Sequence, residues 1–279
     1  MIENLRITVL AENTAGGPKL MGEHGLALWI EADHHHILFD TGQGMVLEHN
    51  ANQLGVDLET AHAIALSHGH FDHTGGFSRA LDRFRNAFVY VHPSAFEEKF
   101  LGGNDESGRY IGAPVRDLAR IRSHVAKVVF TNEPTELTDD VWVTGQIPRR
   151  TSFEDTGGPF FLDRACKTPD PLHDDQALYI RSRKGIVIVL GCAHSGVVNT
   201  LDYIAQQTGK DRIFAVLGGM HLIRASEERL KQSLDALGRY DVRIIGPAHC
   251  TGLPAVARML AAYPEQFVKL ATGARLSIS

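Results

Sequence analysis

Apolar and polar positions along the chain alternate in short runs bounded by glycine, proline, asparagine or aspartate. Runs at Leu5–Leu10, Leu26–Ala32, Ile37–Gly42, Ala63–Leu66 and Ala87–His92 have strand length and predict strands. Gly44–Leu54 and Phe77–Phe84 carry a helical period between them. Further on, Val125–Phe130, Val141–Gly145, Ala177–Ser182, Ile186–Leu190, Arg212–Leu217 and Val242–Ile245 read as strands, and Val197–Gln207 as a helix. Another helix starts at Ser226, which caps it, with Glu227 and Glu228 at the positive end of its dipole. Pro254–Ile278 supplies a last helix and a closing strand. Asp33 with His34, His35 and His36 falls at hairpin spacing and reads as an exposed polar turn. Alternating side chains could not all face one ion there.

The runs repeat. ILFDTG, a helix and AIALSHGH in the first half parallel IVIVLGCAHSG, a helix and IFAVLGGMH in the second. Two such units facing each other would bring both sets of strand ends to one mouth, where ligands usually gather. No compositional break separates them, so one domain is expected over 1–279. The stretch 95–170 is less regular and is expected to form much of the substrate-facing wall. Thr151–Lys167 within it reads as a long loop of the kind that closes or lines a site.

Candidate chemistry concentrates at the strand ends. His68, His70, Asp72 and His73 lie within one short stretch directly after Ala63–Leu66. Imidazole and carboxylate are the donors that zinc and its neighbours take. In an extended segment His68 and His70 share a face and can grip one ion, while Asp72 and His73, beyond the bend, can serve a second. His194, His221 and His249 also follow apolar runs beside small residues. His92, before Pro93, reads as structural.

SHGHFDHTGG resembles the H-x-H-x-D-H signature of the metallo-β-lactamase fold superfamily. The resemblance implies an α/β protein built as a four-layer αβ/βα sandwich, with one or two metals at the mouth between similar halves. It implies that Asp40, in FDTG, supports a ligand histidine from behind, a role that fixes tautomer and orientation. His249, in GPAHCTG, matches the last metal histidine and joins Asp72 and His73 at the second ion. His194 joins His68 and His70 at the first. The aspartate that usually bridges the ions is replaced by Cys192, which can ligate as thiolate or pack inertly. Asp175 is a weaker candidate for the missing carboxylate. His221, outside a filled coordination sphere, is expected to donate a proton or bind an anion, with Asp72 the other catalytic candidate.

EHGLA, FDTGQG, DDQALYI, GCAHSGVVNT, GGMHL and PAHCTG narrow the resemblance to one subgroup. It looks like the 7,8-dihydropterin-6-yl-methyl-4-(β-D-ribofuranosyl)aminobenzene 5′-phosphate synthase-like proteins. Its name implies a condensation that displaces a diphosphate. The expectation is two divalent ions, zinc with manganese or iron compatible, acting on a phosphate ester or diphosphate small molecule by hydrolysis or related substitution. Arg109, Arg149 and Arg150 are candidates to hold phosphate oxygens. Hydrolysis of a lactone, thioester or amide, or metal binding without catalysis, are the alternatives. A di-iron oxidoreductase would want a carboxylate where His70 stands, together with a flavin domain.

Composition trims this picture. A net charge of −5 with no Lys/Arg block argues against nucleic acid as partner and leaves an anionic small molecule. Three cysteines, an odd number, fit a reducing compartment, and the N-terminus lacks a signal-peptide pattern, so a cytoplasmic location is expected. No apolar stretch approaches membrane-spanning length.

Overall fold

A computed structural model describes residues 1–103, 107–114, 116, 118–209 and 212–279. The expected wall over 95–170 therefore lies partly outside the described residues. Two large sheets carry the architecture. The first orders its strands Arg275–Ile278, Leu5–Ala11, Ala27–Ala32, His35–Phe39, Ala63–Leu66, Phe88–Val91 and Lys127–Phe130. The second orders Ile244–Ala248, Ile213–Gly219, Gly185–Leu190, Ala177–Ser182, Val141–Val143 and Thr135–Thr138. Each sheet is antiparallel on one side and parallel on the other, the parallel strands being those whose ends carry the histidines.

The layering follows from strand periodicity. Ala63 and Ala65 face the core between the sheets, whereas Ile64 and Leu66 face the helices Leu47–Leu54 and Phe71–Arg79. In the second sheet Val187 and Val189 enter the same central core. Ile186, Ile188 and Leu190 pack under the helices Val197–Thr208, Glu227–Arg239 and Leu253–Ala262. Sheets buried on both faces need near-continuous apolar runs, and each fully buried Ile, Leu or Val contributes roughly 1.5–3 kcal/mol. The result is an αβ/βα four-layer sandwich.

Three local expectations need correction. The helix after the metal motif starts at Phe71, not Phe77, with His70 as its extended N-cap and Asp72 in its first turn. Gly75 and Gly76, whose composition suits a tight passage into a helix, lie inside that helix. A Cβ at Gly76 would overlap the Thr41 carbonyl oxygen, and one at Gly75 would meet the Gln43 backbone. Close packing, rather than a turn, is their reason. The histidine turn is confined to Asp33 and His34; His35 and His36 open a strand, paired with Ala32 and Glu31. Finally, Phe160–Phe161 pairs with Phe100–Leu101 and that with Arg109–Tyr110. The long loop is thus tied down as a small third sheet over the mouth.

Candidate metal centre

Parallel strands from both sheets end at one mouth. His68 and His70 follow Ala63–Leu66, His194 follows Gly185–Leu190, His221 follows Ile213–Gly219 and His249 follows Ile244–Ala248. Asp40, Ala193, His221 and His249 all adopt left-handed backbone, with φ of 56°, 54°, 44° and 50°. Four non-glycine residues in that region at one mouth store strain where the side chains must be aimed, as functional sites often do.

Four of the histidines are oriented from behind. His73 Nδ1 lies 2.7 Å from Asp40 Oδ2, which also accepts the Ser67 hydroxyl at 2.7 Å, while Asp40 Oδ1 accepts the Ser67 N–H at 2.7 Å. With its proton given to Asp40, Ser67 Oγ accepts from His68 Nδ1 at 2.9 Å. His194 Nδ1 donates to the Thr156 carbonyl at 2.8 Å, and His249 Nδ1 to Asn13 Oδ1 at 2.9 Å. These bonds place the lone pairs of His68, His73, His194 and His249 on Nε2, facing the mouth.

The inward nitrogens crowd together as donors to an ion do. His68 Nε2 is 3.0 Å from His70 Nδ1, and His73 Nε2 is 3.3 Å from His249 Nε2. Two nitrogens bound to one zinc at roughly 2.1 Å stand about 3.4 Å apart. Nε2 of His194 is buried with no hydrogen-bond partner among the described residues, a costly arrangement unless something else binds there. Asp72 Oδ2 lies 3.4 Å from His249 Nε2. The donor set fits divalent metal.

Charge tells the same story. Burial holds His68, His70 and His194 below the usual imidazole range, His70 at about 3, so they remain neutral ligands. Burial opposes charge on His73 too, yet Asp40 and Asp72 beside it hold its pKa up to about 9. A proton there stands where a cation would satisfy the same carboxylates.

Cys192 settles between two donor groups. Its Sγ is 3.1 Å from His73 Nε2, and it clusters with His68 and His194 on one side and with His73 and His249 on the other. Burial pushes its thiol pKa up, so a cation is what would make it a thiolate. Asp175 is turned away: its Oδ2 accepts the Ser195 N–H at 2.8 Å, and burial raises its pKa to about 6.

A cavity of about 330 Å³ opens onto these donors. Phe71, Leu101, Ile111, Pro159, Phe160 and Ile223 give it apolar walls, and Arg109 and Arg224 line it as well. Neither of those guanidinium groups has a hydrogen-bond or ion-pair partner among the described residues. Arg149 and Arg150 do not line the cavity. Arg149 donates to the carbonyls of His194 and Glu154, bracing the His194 turn, and Arg150 reaches Gln206. The correction has a simple cause: the chain after Pro148 runs behind the mouth, beside the helix Val197–Thr208.

Sequence reasoning missed several contributors. His24 reaches Asp72 Oδ2 at 3.2 Å, and Asn13 joins His249 to the Gly25 N–H. Lys99 is fully buried between Asp170 and Asp174, both at 2.9 Å, and Asp174 also accepts the Gly69 N–H inside the metal motif. The EHGLA segment was a legible signal for His24; Lys99 had none.

Histidines, a carboxylate and a thiol gathered at the mouth of an αβ/βα sandwich form a donor cluster suited to divalent metal. The chain belongs to the metallo-β-lactamase superfamily: the family model described as "Metallo-beta-lactamase superfamily" matches residues 21–249. It is 30% identical, over 98% of its length and 96% of the relative's, to 7,8-dihydropterin-6-methyl-4-(beta-D-ribofuranosyl)-aminobenzene-5′-phosphate synthase of Methanocaldococcus jannaschii. An uncharacterized protein of the same organism is 32% identical, over 91% of this chain and 93% of its own. Among solved structures, Tm1679, a metal-dependent hydrolase of the β-lactamase superfamily, superposes with a TM-score of 0.84 at 29% identity, covering 99% of both chains. Among the described residues, no helix is long and apolar enough to cross a membrane.

Proposed function

We propose that this protein is a dinuclear metal-dependent enzyme that cleaves or substitutes at a phosphate ester or diphosphate of a small anionic molecule. The observation that carries the reading is the convergence of the inward-facing donors on one cavity that also presents two arginines without a partner among the described residues. His68, His70 and His194 would hold one ion, and Asp72, His73 and His249 the other, with Cys192 between them. Zinc suits this set, and manganese or iron is compatible with its nitrogen and oxygen donors. Bound there, the ions supply an activated water and polarise a phosphoryl oxygen.

The remaining work falls to the chain. Arg109 and Arg224, at the cavity wall, would take phosphate oxygens by planar, paired hydrogen bonds. Phe71, Ile111 and Phe160 would receive the apolar part of the substrate and exclude water from the reacting bond. A synthase-named relative keeps group transfer beside hydrolysis, so phosphodiesterase and transferase activities belong to one reading. Three free cysteines accord with a reducing, cytoplasmic setting.

The test is a turnover panel on metal-reconstituted protein, comparing phosphate monoesters, phosphodiesters and diphosphates with lactones, thioesters and amides. Metal-dependent release from a phosphorus centre is expected, with Asp72→Ala losing the second ion and turnover together. Turnover confined to the carbonyl substrates would overturn the phosphate assignment. Metal binding without turnover on any of them would leave a binding protein.

A further inference from the structure

We propose that Cys192, His221 and Cys250 form a further cation seat, built of one nitrogen and two sulfurs, next to the two positions assigned above. It extends the metal centre beyond the expected donors and gives His221 a different task from proton donation.

The ligating atoms of the three residues lie within 4.8 Å of one another. In a zinc site with Zn–S of about 2.3 Å and Zn–N of about 2.0 Å, such donors stand roughly 3.5–3.8 Å apart. Small side-chain rotations therefore close the seat. His221 is prepared for it. Its Nδ1 is buried without a hydrogen-bond partner among the described residues, as His194 Nε2 is.

The backbone around the seat is built to hold these atoms close. His221 sits in left-handed backbone at φ 44°, and its N–H donates to Cys250 Sγ at 3.3 Å. Gly157 lies flat on the imidazole, where any Cβ would overlap the ring. A Cβ at Gly219 would come within 2.8 Å of Cys250 Sγ, so the preceding strand must also lack a side chain there. Cys250 in turn approaches the Cys192 carbonyl at 3.8 Å. Both sulfurs and His221 line the cavity, which gives an ion a way in.

Donor chemistry names the occupant. Two thiolates and an imidazole favour thiophilic cations such as Zn²⁺, Cd²⁺ or Cu⁺ and discriminate against Mg²⁺ and Mn²⁺. The six nitrogen and oxygen ligands beside it make no such choice. Cys192 is common to both, so an ion in this seat couples the thiol pair to the catalytic positions.

The test uses the full chain loaded with Mn²⁺ and then titrated with Cd²⁺. Bound cadmium and the near-ultraviolet thiolate-to-metal absorption are followed in wild type, Cys250→Ser and His221→Gln. Both variants are expected to bind one cadmium per chain at least tenfold more weakly, with part of the absorption lost, while cadmium at the remaining positions stays. Unchanged stoichiometry and absorption in either variant would overturn the proposal. Cadmium-113 resonances of the wild-type protein give a reading that no folding defect can disturb. A resonance from an ion with two sulfur ligands is expected, and a spectrum in which every ion has one sulfur or none rejects the seat.

Discussion

Replacing Asp40 by asparagine isolates the device that orients His73. Asp40 lies in left-handed backbone at φ 56°, a conformation asparagine adopts readily, so the exchange leaves the main chain unstrained. Its two oxygens serve three donors at 2.7 Å: the Ser67 N–H, the Ser67 hydroxyl and His73 Nδ1. An asparagine that keeps its oxygen on the Ser67 N–H must turn its NH₂ toward His73. The imidazole then accepts at Nδ1, and its proton moves to Nε2, the atom 3.1 Å from Cys192 Sγ and 3.3 Å from His249 Nε2. A proton there blocks the lone pair that metal needs.

The flipped amide avoids that clash but leaves the buried Ser67 N–H facing an NH₂, at a cost of about 1–3 kcal/mol. In the first arrangement the ion at His73 should bind 10- to 100-fold more weakly, the range seen when a partner behind a ligand is lost. That is about 1.4–2.7 kcal/mol. Competition against a chromophoric chelator reads the affinity, ion by ion. The ion proposed for His68, His70 and His194 should weaken less, since only Ser67 links His68 to Asp40. Wild-type affinity for both ions together with wild-type stability in Asp40→Asn would refute the argument, because no arrangement of the amide satisfies all three donors.

Lys99→Met should destabilise the fold by about 3–5 kcal/mol in urea unfolding, because Asp170 and Asp174 would be left buried without a counter-charge. Arg224→Ala and Arg109→Ala should each raise KM for an anionic substrate about tenfold or more, the worth of a charge-assisted hydrogen bond, while Arg150→Ala leaves KM unchanged. Steady-state kinetics on one phosphate substrate compares all three. Gly76→Ala should cost about 1–3 kcal/mol of stability, measured by thermal denaturation, since its methyl must push the helix off the Thr41 carbonyl.

Much of the fold was legible because strands buried on both faces need apolar runs, and those runs alternate with helices in a repeated unit. Ala177–Ser182 has the same ends in sequence and structure for that reason. The misreadings arose where local signals meet tertiary packing. Gly75-Gly76 has the composition of a tight passage into a helix, yet it marks the contact between helix Phe71–Arg79 and the 41–43 turn. His35 and His36 look like a solvated turn, yet strand pairing claims them. Neither case can be decided from neighbours in sequence, since the deciding partner lies elsewhere in the chain.

The site divides along the same line. His68, His70, Asp72 and His73 are close in sequence and report themselves by spacing. His194 and His249 show only as histidines at strand ends, and the repeat is what connects them to the others. Of the candidate arginines Arg109 lines the cavity but Arg149 and Arg150 do not, because charge alone does not say where a guanidinium points: Arg149 braces the backbone of His194, while Arg224, with no motif around it, lines the cavity. Cys192 looked like a departure from the superfamily's pattern, a carboxylate lost. With Cys250 and His221 placed beside it, the same substitution reads as a gain of soft donors on the second half's side of the mouth. The first half contributes nitrogen and oxygen, and the second adds sulfur. An enzyme whose two halves offer different donor chemistry to adjoining ions can hold them with unequal affinity. That inequality would make metal supply, as well as substrate, a determinant of its activity.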